Sequence, residues 1–340
     1  MKILLGMSGG VDSCAAATVL KQQGFDVVGC CLLLTPFASA NSEETKRAKQ
    51  AADRLGIDLL VEDCRELFRA CVMEPFAAEY AAGRTPNPCV ACNPAVKIAS
   101  LCRAADEHNI EAVATGHYAC IDRQTPRLLR SPSAKDQSYF LYRLTASQLS
   151  RLYFPLGEFA EKADVRALAA QAGFDAATAK DSQEICFLPD GEYAAFVASL
   201  PGVQSKPGDF LDIYGNKIGT HKGIIHYTVG QRKGLGAFGK PMYVKQVRPQ
   251  ENTVVLCAAE ERFTNTLTAS DLAWCSGKVP GESFAALAKV RSTAKPAAAK
   301  ITVCGSRARV EFETAQLSPS PGQSVVFYDG DTVLGGGFID

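Results

Sequence analysis

Residues 2–7, KILLGM, run straight into Ser8-Gly9-Gly10-Val11-Asp12-Ser13, and the alanine-rich stretch Ser13–Gln23 that follows reads as a helix ending at Gly24. A strand that feeds a helix through a glycine turn commits the chain to a crossover. The pattern then repeats. Asp26–Leu34 reads as a strand, Ser42–Leu55 as a helix closed by Gly56, and Ile57–Val61 as a third strand. Cys64–Ala81 reads as helical with a disturbance at Pro75, Val96–Glu107 as a further helix, and Glu111–Thr115 as a short buried strand. Strands separated by helices pair in parallel through right-handed crossovers, so the expected fold class is α/β with a doubly wound parallel sheet. Ligands of such sheets bind beyond the carboxyl ends of the strands. The glycine turn sits at such an end.

The chain has 340 residues, room for more than one core. From about Leu144 to Leu200 the pattern is mostly helical, as in KADVRALAAQAGF and EYAAFVASL. After Pro201 glycines become frequent and short alternating runs appear, which read as small antiparallel β structure. The last stretch, from Lys289 onward, reads as five or six short strands of a small barrel. The expected organisation is a catalytic domain over 1–200, a small central mixed or β domain over 201–260, and a C-terminal β-barrel over 261–340.

The opening motif has a chemistry of its own. Two glycines let the backbone turn tightly and let phosphate oxygens approach the N–H groups. The helix behind them offers unpaired N–H groups and its positive dipole end. Ser8 and Ser13 add hydroxyls. Asp12 repels phosphate unless a cation lies between them, so the stretch reads as an anion cradle with an acid that holds Mg2+. It matches neither the Walker spacing nor G-x-G-x-x-G. The alternative is a plain strand-to-helix turn with an N-cap.

Thirteen cysteines are many for a chain of this size. No basic leader with an apolar core precedes the first strand, so the cytoplasm is the expected location and a disulfide framework is not expected. No run of about 18 apolar residues suggests a membrane span. The net charge is zero, yet Lys206–Gln250 holds eight Lys or Arg against two acids, and Lys289–Arg309 holds six against none. Such stretches are solvated faces or, functionally, surfaces for a phosphate backbone.

Ser8–Ser13 resembles the PP-loop of ATP pyrophosphatases, which cleave ATP between the α and β phosphates. The resemblance implies a HUP-like fold for the N-terminal domain. Four further stretches narrow it: Gly83-Arg84-Thr85-Pro86-Asn87-Pro88-Cys89-Val90-Ala91-Cys92-Asn93; Ala114-Thr115-Gly116-His117-Tyr118 with Lys135-Asp136-Gln137-Ser138; Lys180-Asp181-Ser182-Gln183-Glu184-Ile185-Cys186-Phe187; and His226-Tyr227-Thr228-Val229-Gly230-Gln231-Arg232-Lys233-Gly234. With Pro321-Gly322-Gln323 and Gly335-Gly336-Gly337 near the end, their order is similar to that of the tRNA-specific 2-thiouridylase family, over essentially the whole chain.

The family resemblance implies insertion of sulfur at carbon 2 of the wobble uridine, with ATP and Mg2+, on tRNAs for Glu, Gln and Lys. It implies a sulfur donor, a persulfide carrier protein or free sulfide; a monomer bound to one tRNA is the default expectation. By match to the family pattern, Cys92 is the nucleophile and Cys186 the persulfide carrier, with Asp12 serving catalysis through the metal. Gly6, Met7, Ser8, Gly9, Gly10, Val11, Asp12, Ser13, Leu32 and Gly116 would line ATP. Asn87, Pro88 and Cys89 would face the target base. His117, Lys135, Asp136 and Gln137 would contact tRNA near the site, and Arg291 and Gln323 would hold it from the barrel. The family commonly has an aromatic beside the arginine, where this chain has Ser292. Adenylation turns the uridine oxygen into a good leaving group, after which an activated thiol can deliver sulfur.

Cys89 and Cys92 form a C-x-x-C where some members carry an acid at the first position. Two readings stay open. Cys92 and Cys186 can work as thiols through a disulfide while Cys89 lines the base pocket. Alternatively, Cys89, Cys92 and Cys186 can hold an iron–sulfur cluster with one open iron. Structural zinc is a third option that lacks a fourth ligand. Two other functions compete: a PP-loop synthetase adenylating a small molecule, and a non-catalytic RNA- or cluster-binding protein.

Overall fold

In the computed structural model, which describes residues 1–174, 185–188, 193–199, 203 and 205–340, the expected alternation forms a parallel sheet. Its strands include β1 (Lys2–Gly6), β2 (Asp26–Leu33), β3 (Leu59–Asp63) and β4 (Ala112–Ala114). Helices α1 (Val11–Gln22) and α2 (Glu43–Leu55) cross between the first three. The third strand starts two residues later than its apolar run suggests. Gly56 adopts a left-handed φ of 60°, and the Ile57 N–H is spent on the Ala52 carbonyl, closing α2. Helix α1 starts at Val11, not Ser13, so Asp12 and Ser13 stand on its first turn.

Both prolines in the helical stretches are absorbed by widened turns. Helix α3 (Arg65–Phe68) passes through a π turn at Arg69–Met73 into α4 (Glu74–Ala81), which carries Pro75 in its first turn. Helix α5 (Pro88–Cys92) passes through a π turn at Asn93–Ile98, containing Pro94, into α6 (Ala99–Glu107). A proline inside a helix lacks an N–H and clashes with the carbonyl four residues back. Widening the turn relieves that clash. The helix expected from Val96 therefore begins at Pro88.

The hairpin β5 (Cys120–Asp122) and β6 (Arg127–Leu129) leaves this domain, and β6 pairs through Leu129 with Thr332 of the C-terminal domain. The region read as helical holds α7 (Ala146–Arg151), α8 (Lys162–Gln171) and α9 (Tyr193–Ala198). It also holds a strand the helical pattern hides, β7 (Leu152–Tyr153), which completes the sheet order β3-β2-β1-β4-β7. The segment Lys180–Glu184 lies outside the described residues.

The central domain joins two hairpins. Strands β8 (Gly208–Leu211) and β9 (Lys217–His221) form one, β10 (Tyr243–Arg248) and β11 (Thr253–Cys257) the other. Strand β11 pairs with β8 in parallel, so the sheet is mixed and not purely antiparallel. The reason is the long 222–242 connection, which returns the chain to the far side of the first hairpin.

Six strands close the C-terminal barrel: β12 (Phe263–Trp274), β13 (Ser283–Lys289), β14 (Ala297–Cys304), β15 (Arg307–Leu317), β16 (Ser324–Asp329) and β17 (Thr332–Ile339). The order is β12-β15-β14-β13-β16-β17, with β12 pairing back to β17. Small and branched side chains such as Ala269, Ala299, Ile301, Val310 and Val325 fill it. Barrel and N-terminal domain share apolar packing: Leu4, Val113, Tyr139 and Tyr142 belong to one buried cluster with Val326, Tyr328 and Val333. The Tyr139 hydroxyl donates to the Ser324 carbonyl at 2.8 Å within this interface. Among the described residues, no helix is long and apolar enough to cross a membrane.

Candidate active site

The PP-loop leaves β1 at Gly6 and enters α1 at Gly10. Gly9 has φ +71°, and a Cβ there would come within 2.5 Å of the Ala48 nitrogen on α2, so only glycine fits. No side chain caps α1, which leaves its first N–H groups without a side-chain partner. The Gly10 N–H points to Ser8 Oγ at 3.4 Å, and Ser13 Oγ donates to the Gly10 carbonyl at 2.9 Å. The Ser13 proton is therefore committed to the loop. Oriented N–H groups and a dipole end fit phosphate oxygens.

Asp12 faces two groups the sequence did not point to. The Tyr118 hydroxyl donates to its Oδ1 at 2.9 Å, and Lys162 Nζ stands 3.6 Å from its Oδ2. One carboxylate beside a phosphate cradle fits Mg2+, which is bound through one or two carboxylates and otherwise by water and substrate phosphates.

A cavity of about 290 Å3 opens at the loop. Gly6, Met7, Ser8, Asp12 and Ser13 line it, as do Leu32 and Gly116, whereas Gly9, Gly10 and Val11 are not part of the lining. A Cβ on Gly116 would lie 3.1 Å from the Asp12 carbonyl, so this residue permits the close pass of two loops. His117, Gln137 and Cys186 share the cavity. So do Thr115, which lies in the Ala114–Tyr118 motif but was given no role there, and Glu44 and Lys97, which lie outside the motifs. Lys97 had a visible signal: it is the lone charge in the apolar helical run Ala95–Ala99.

The thiols approach from the same side. Asn87 caps α5, its side chain accepting from the Cys89 N–H at 3.1 Å, and Pro88 takes the first helical position. Cys89 is exposed and Cys92 is buried. Cys186 is exposed, and its neighbours Ile185 and Phe187 pack into the cluster that holds Cys92 and Val96. Phe187 stacks edge-on against Phe68 at 5.6 Å and Phe76 at 5.3 Å, which anchors this short segment. Among the described residues, no three His, Cys, Asp or Glu side chains converge closely enough to hold a metal ion.

Electrostatics separate the groups. Burial pushes the Cys92 thiol up to about 12, with Lys97 opposing. Burial also raises Cys186 above its ordinary range, again with Lys97 opposing. Burial pulls Lys97 down, but Cys92, Cys89, Cys186 and Glu44 outweigh it, and the amine stays above the usual lysine range. Burial, aided by Lys97, holds His117 down to about 3, so it is a neutral imidazole whose Nδ1 meets Thr115 Oγ1 at 2.7 Å.

The other expected contacts divide. Asp136 accepts from the Ser131 and Ser138 N–H groups, both at 3.1 Å, and so builds its own loop. Gln137 accepts from the Tyr118 N–H at 2.9 Å and faces the cavity. Lys135 is exposed. Two residues stand apart from the cavity lining. Arg291 donates to the Leu317 and Ser318 carbonyls at 2.6 and 2.7 Å. Gln323 donates to the Thr85 carbonyl at 2.8 Å, beside the Thr85 N–H bond to the Pro321 carbonyl at 2.7 Å. This clasp seats the Pro321-Gly322-Gln323 turn on the loop leading to Cys89.

Residues 1–190 match the family model described as a tRNA methyl transferase HUP domain. Residues 196–258 match a tRNA methyl transferase PRC-barrel domain, and residues 264–339 an aminomethyltransferase beta-barrel domain. The tRNA-specific 2-thiouridylase MnmA of Acetivibrio thermocellus is 44% identical over 358 residues, covering 99% of each chain. That of Carboxydothermus hydrogenoformans is 43% identical, covering 100% of this chain and 97% of its own. That of Clostridioides difficile is 42% identical, covering 100% and 98%. With identity at this level along the full length, and the PP-loop and Cys186 lining one cavity, the chain belongs to the tRNA-specific 2-thiouridylase family.

Proposed function

We propose that this protein is an ATP-dependent tRNA-uridine 2-sulfurtransferase acting on carbon 2 of a wobble uridine. One observation carries the reading: a single cavity is lined by the anion cradle on one side and by Cys186 on another. Nucleotide activation and sulfur delivery need to meet within a few ångströms, and this cavity offers both. Asp12 would hold Mg2+, which supplies charge neutralisation for the departing pyrophosphate.

In the reading favoured here, the uridine O2 attacks the α-phosphorus of ATP and pyrophosphate leaves. A persulfide sulfur on Cys186, loaded by an external donor, adds to carbon 2, and AMP leaves with the electron pair of the broken C–O bond. The Cys92 thiol then attacks Cys186 Sγ, and its proton passes through water to N3 of the base. The S–S bond breaks toward the base, giving 2-thiouridine and a Cys92–Cys186 disulfide. An external thiol reductant restores both thiols. A three-cysteine iron–sulfur site is the alternative: Cys89, Cys92 and Cys186 all act on Lys97, although they do not form a metal-holding group among the described residues. No step is assigned to a cluster. The basic stretches supply the RNA backbone contacts. Several of their charges are already engaged locally, as Lys217 is with Asp209 at 2.7 Å and Arg309 with Glu311 at 3.2 Å.

The test is thiolation of a wobble-uridine tRNA, with and without ATP, read as a retarded band in a mercury-containing gel. ATP-dependent retardation that survives iron removal with a persulfide donor supports the thiol route. Loss on stripping iron supports the cluster. No retardation under any condition, with ATP consumed on a small acceptor instead, overturns the tRNA reading.

A further inference from the structure

Among the described residues, Lys97 is the lone lysine or arginine lining the cavity; the acids beside it are Asp12 and Glu44. His117 is neutral there. ATP brings about four negative charges, and a cavity walled largely by apolar atoms magnifies every uncompensated one. Asp12 already lies near Lys162 at 3.6 Å. The cradle N–H groups and a cation at Asp12 serve the leaving end of the nucleotide. The α-phosphate must point the other way, toward carbon 2 and Cys186, because sulfur has to reach the carbon to which the phosphate is joined through oxygen. That places it on the side of the cavity that Lys97 shares with Cys186.

The backbone brings Lys97 there by a specific device. In an ordinary helix the residue above Cys92 is the fourth one on. The π turn Asn93–Ile98 adds one residue to the turn, so the fifth, Lys97, stands over Cys92. Its own N–H reaches back toward the Cys92 sulfur. The sequence places Pro94 inside this turn, and without the widening Lys97 would rotate off the cavity.

Resting on the thiouridylase reading, we propose that Lys97 is a catalytic residue that binds the α-phosphate of ATP and of the uridine adenylate, stabilising charge as pyrophosphate and later AMP depart. In the first step the uridine O2–Pα bond forms and the Pα–O bond to the β-phosphate breaks. The electron pair leaves on pyrophosphate, and the uracil N3 proton passes to water. Lys97 transfers no proton and contributes fixed positive charge.

The experiment measures tRNA-dependent pyrophosphate release from ATP, without any sulfur donor, for wild type, Lys97→Ala and Cys186→Ser. Wild type and Cys186→Ser are expected to release pyrophosphate. Lys97→Ala is expected to fall about 100-fold or more, in line with loss of one donor to a developing oxyanion. Its melting temperature and tRNA affinity are expected to match wild type. Adding ethylamine or propylamine, whose ammonium can occupy the emptied place, should restore part of the Lys97→Ala rate and leave wild type unchanged. Lys97→Met, which keeps the apolar stem, separates charge from packing and should be as slow as the alanine variant. Full activity of Lys97→Met, or a loss in Lys97→Ala that no amine rescues, overturns the assignment. If wild type releases no pyrophosphate with tRNA, the thiouridylase reading itself fails.

Discussion

The Tyr118 hydroxyl and the Asp12 carboxylate are joined at 2.9 Å, linking the loop after β4 to the first turn of α1. Because Gly116 lets the two loops touch, this bond fixes the acid over the cradle. Tyr118→Phe is expected to cost about 1 kcal/mol of stability and to slow pyrophosphate release while leaving tRNA affinity unchanged. Asp12→Asn should abolish pyrophosphate release. Thermal unfolding and a pyrophosphate assay check both, and an Asp12→Asn enzyme with normal turnover would remove Asp12 from the mechanism.

Gly9→Ala puts a side chain where φ is +71° and where backbone atoms of Arg47 and Ala48 lie 2.5 Å away. A non-glycine residue held in that region costs of order 1–3 kcal/mol before the clash is counted. Calorimetric titration should find ATP binding lost while the far-ultraviolet spectrum stays folded. Binding within twofold of wild type would mean that the loop does not form the cradle.

Cys92→Ser and Cys186→Ser should each abolish thiolation with tRNA binding intact, read by mercury gel and filter binding. Cys89→Ser separates the two sulfur chemistries. It should retain most activity if Cys92 and Cys186 act as thiols, and lose it if all three hold a cluster.

His117 gives a pH signature. Its folded value is held down to about 3 by burial and Lys97, against about 6.5 when unfolded. Between those values the unfolded chain binds a proton that the folded one does not, so stability falls as pH drops from about 6.5 toward 3 and is unaffected above 6.5. The full slope is up to about 1.4 kcal/mol per pH unit. Denaturant melts of His117→Gln across this range should show an acid limb shallower by one proton. An identical limb would mean that His117 titrates normally in the fold.

Gln323→Ala removes the donor to the Thr85 carbonyl. Hydrogen exchange in the peptide spanning residues 84–92 should speed up, with the rest of the sheet unchanged. Unchanged exchange there, together with weakened tRNA binding, would assign Gln323 to the RNA and not to the clasp.

How much of this could be read from the sequence depends on whether the residues concerned are contiguous. Gly9, Asp12 and Ser13 announce themselves because turn, acid and helix start follow one another along the chain. Glu44 and Lys97 do not, because each reaches the cavity from a different helix. Lys97 is further hidden by the π turn, since apolar periodicity presumes an ordinary helix. The two-residue strand β7 was missed because Leu152 and Tyr153 read as part of a helical stretch, and only pairing with Val113 and Ala114 makes them a strand. Arg291 and Gln323 were legible as residue types. Their carbonyl partners, Leu317, Ser318 and Thr85, lie far along the chain or in another domain, and no local pattern names them.

The β5–β6 hairpin belongs by chain order to the catalytic domain but lies in the same sheet as the barrel strands. The unit of inheritance is therefore not the C-terminal third alone. A gene fusion or exchange that swapped residues 261–340 for a foreign barrel would break the seam at Leu129 and Thr332 and strand Tyr139 and Tyr142 without their partners. Lineages that trade this module are expected to trade residues 120–142 with it, or to leave it alone.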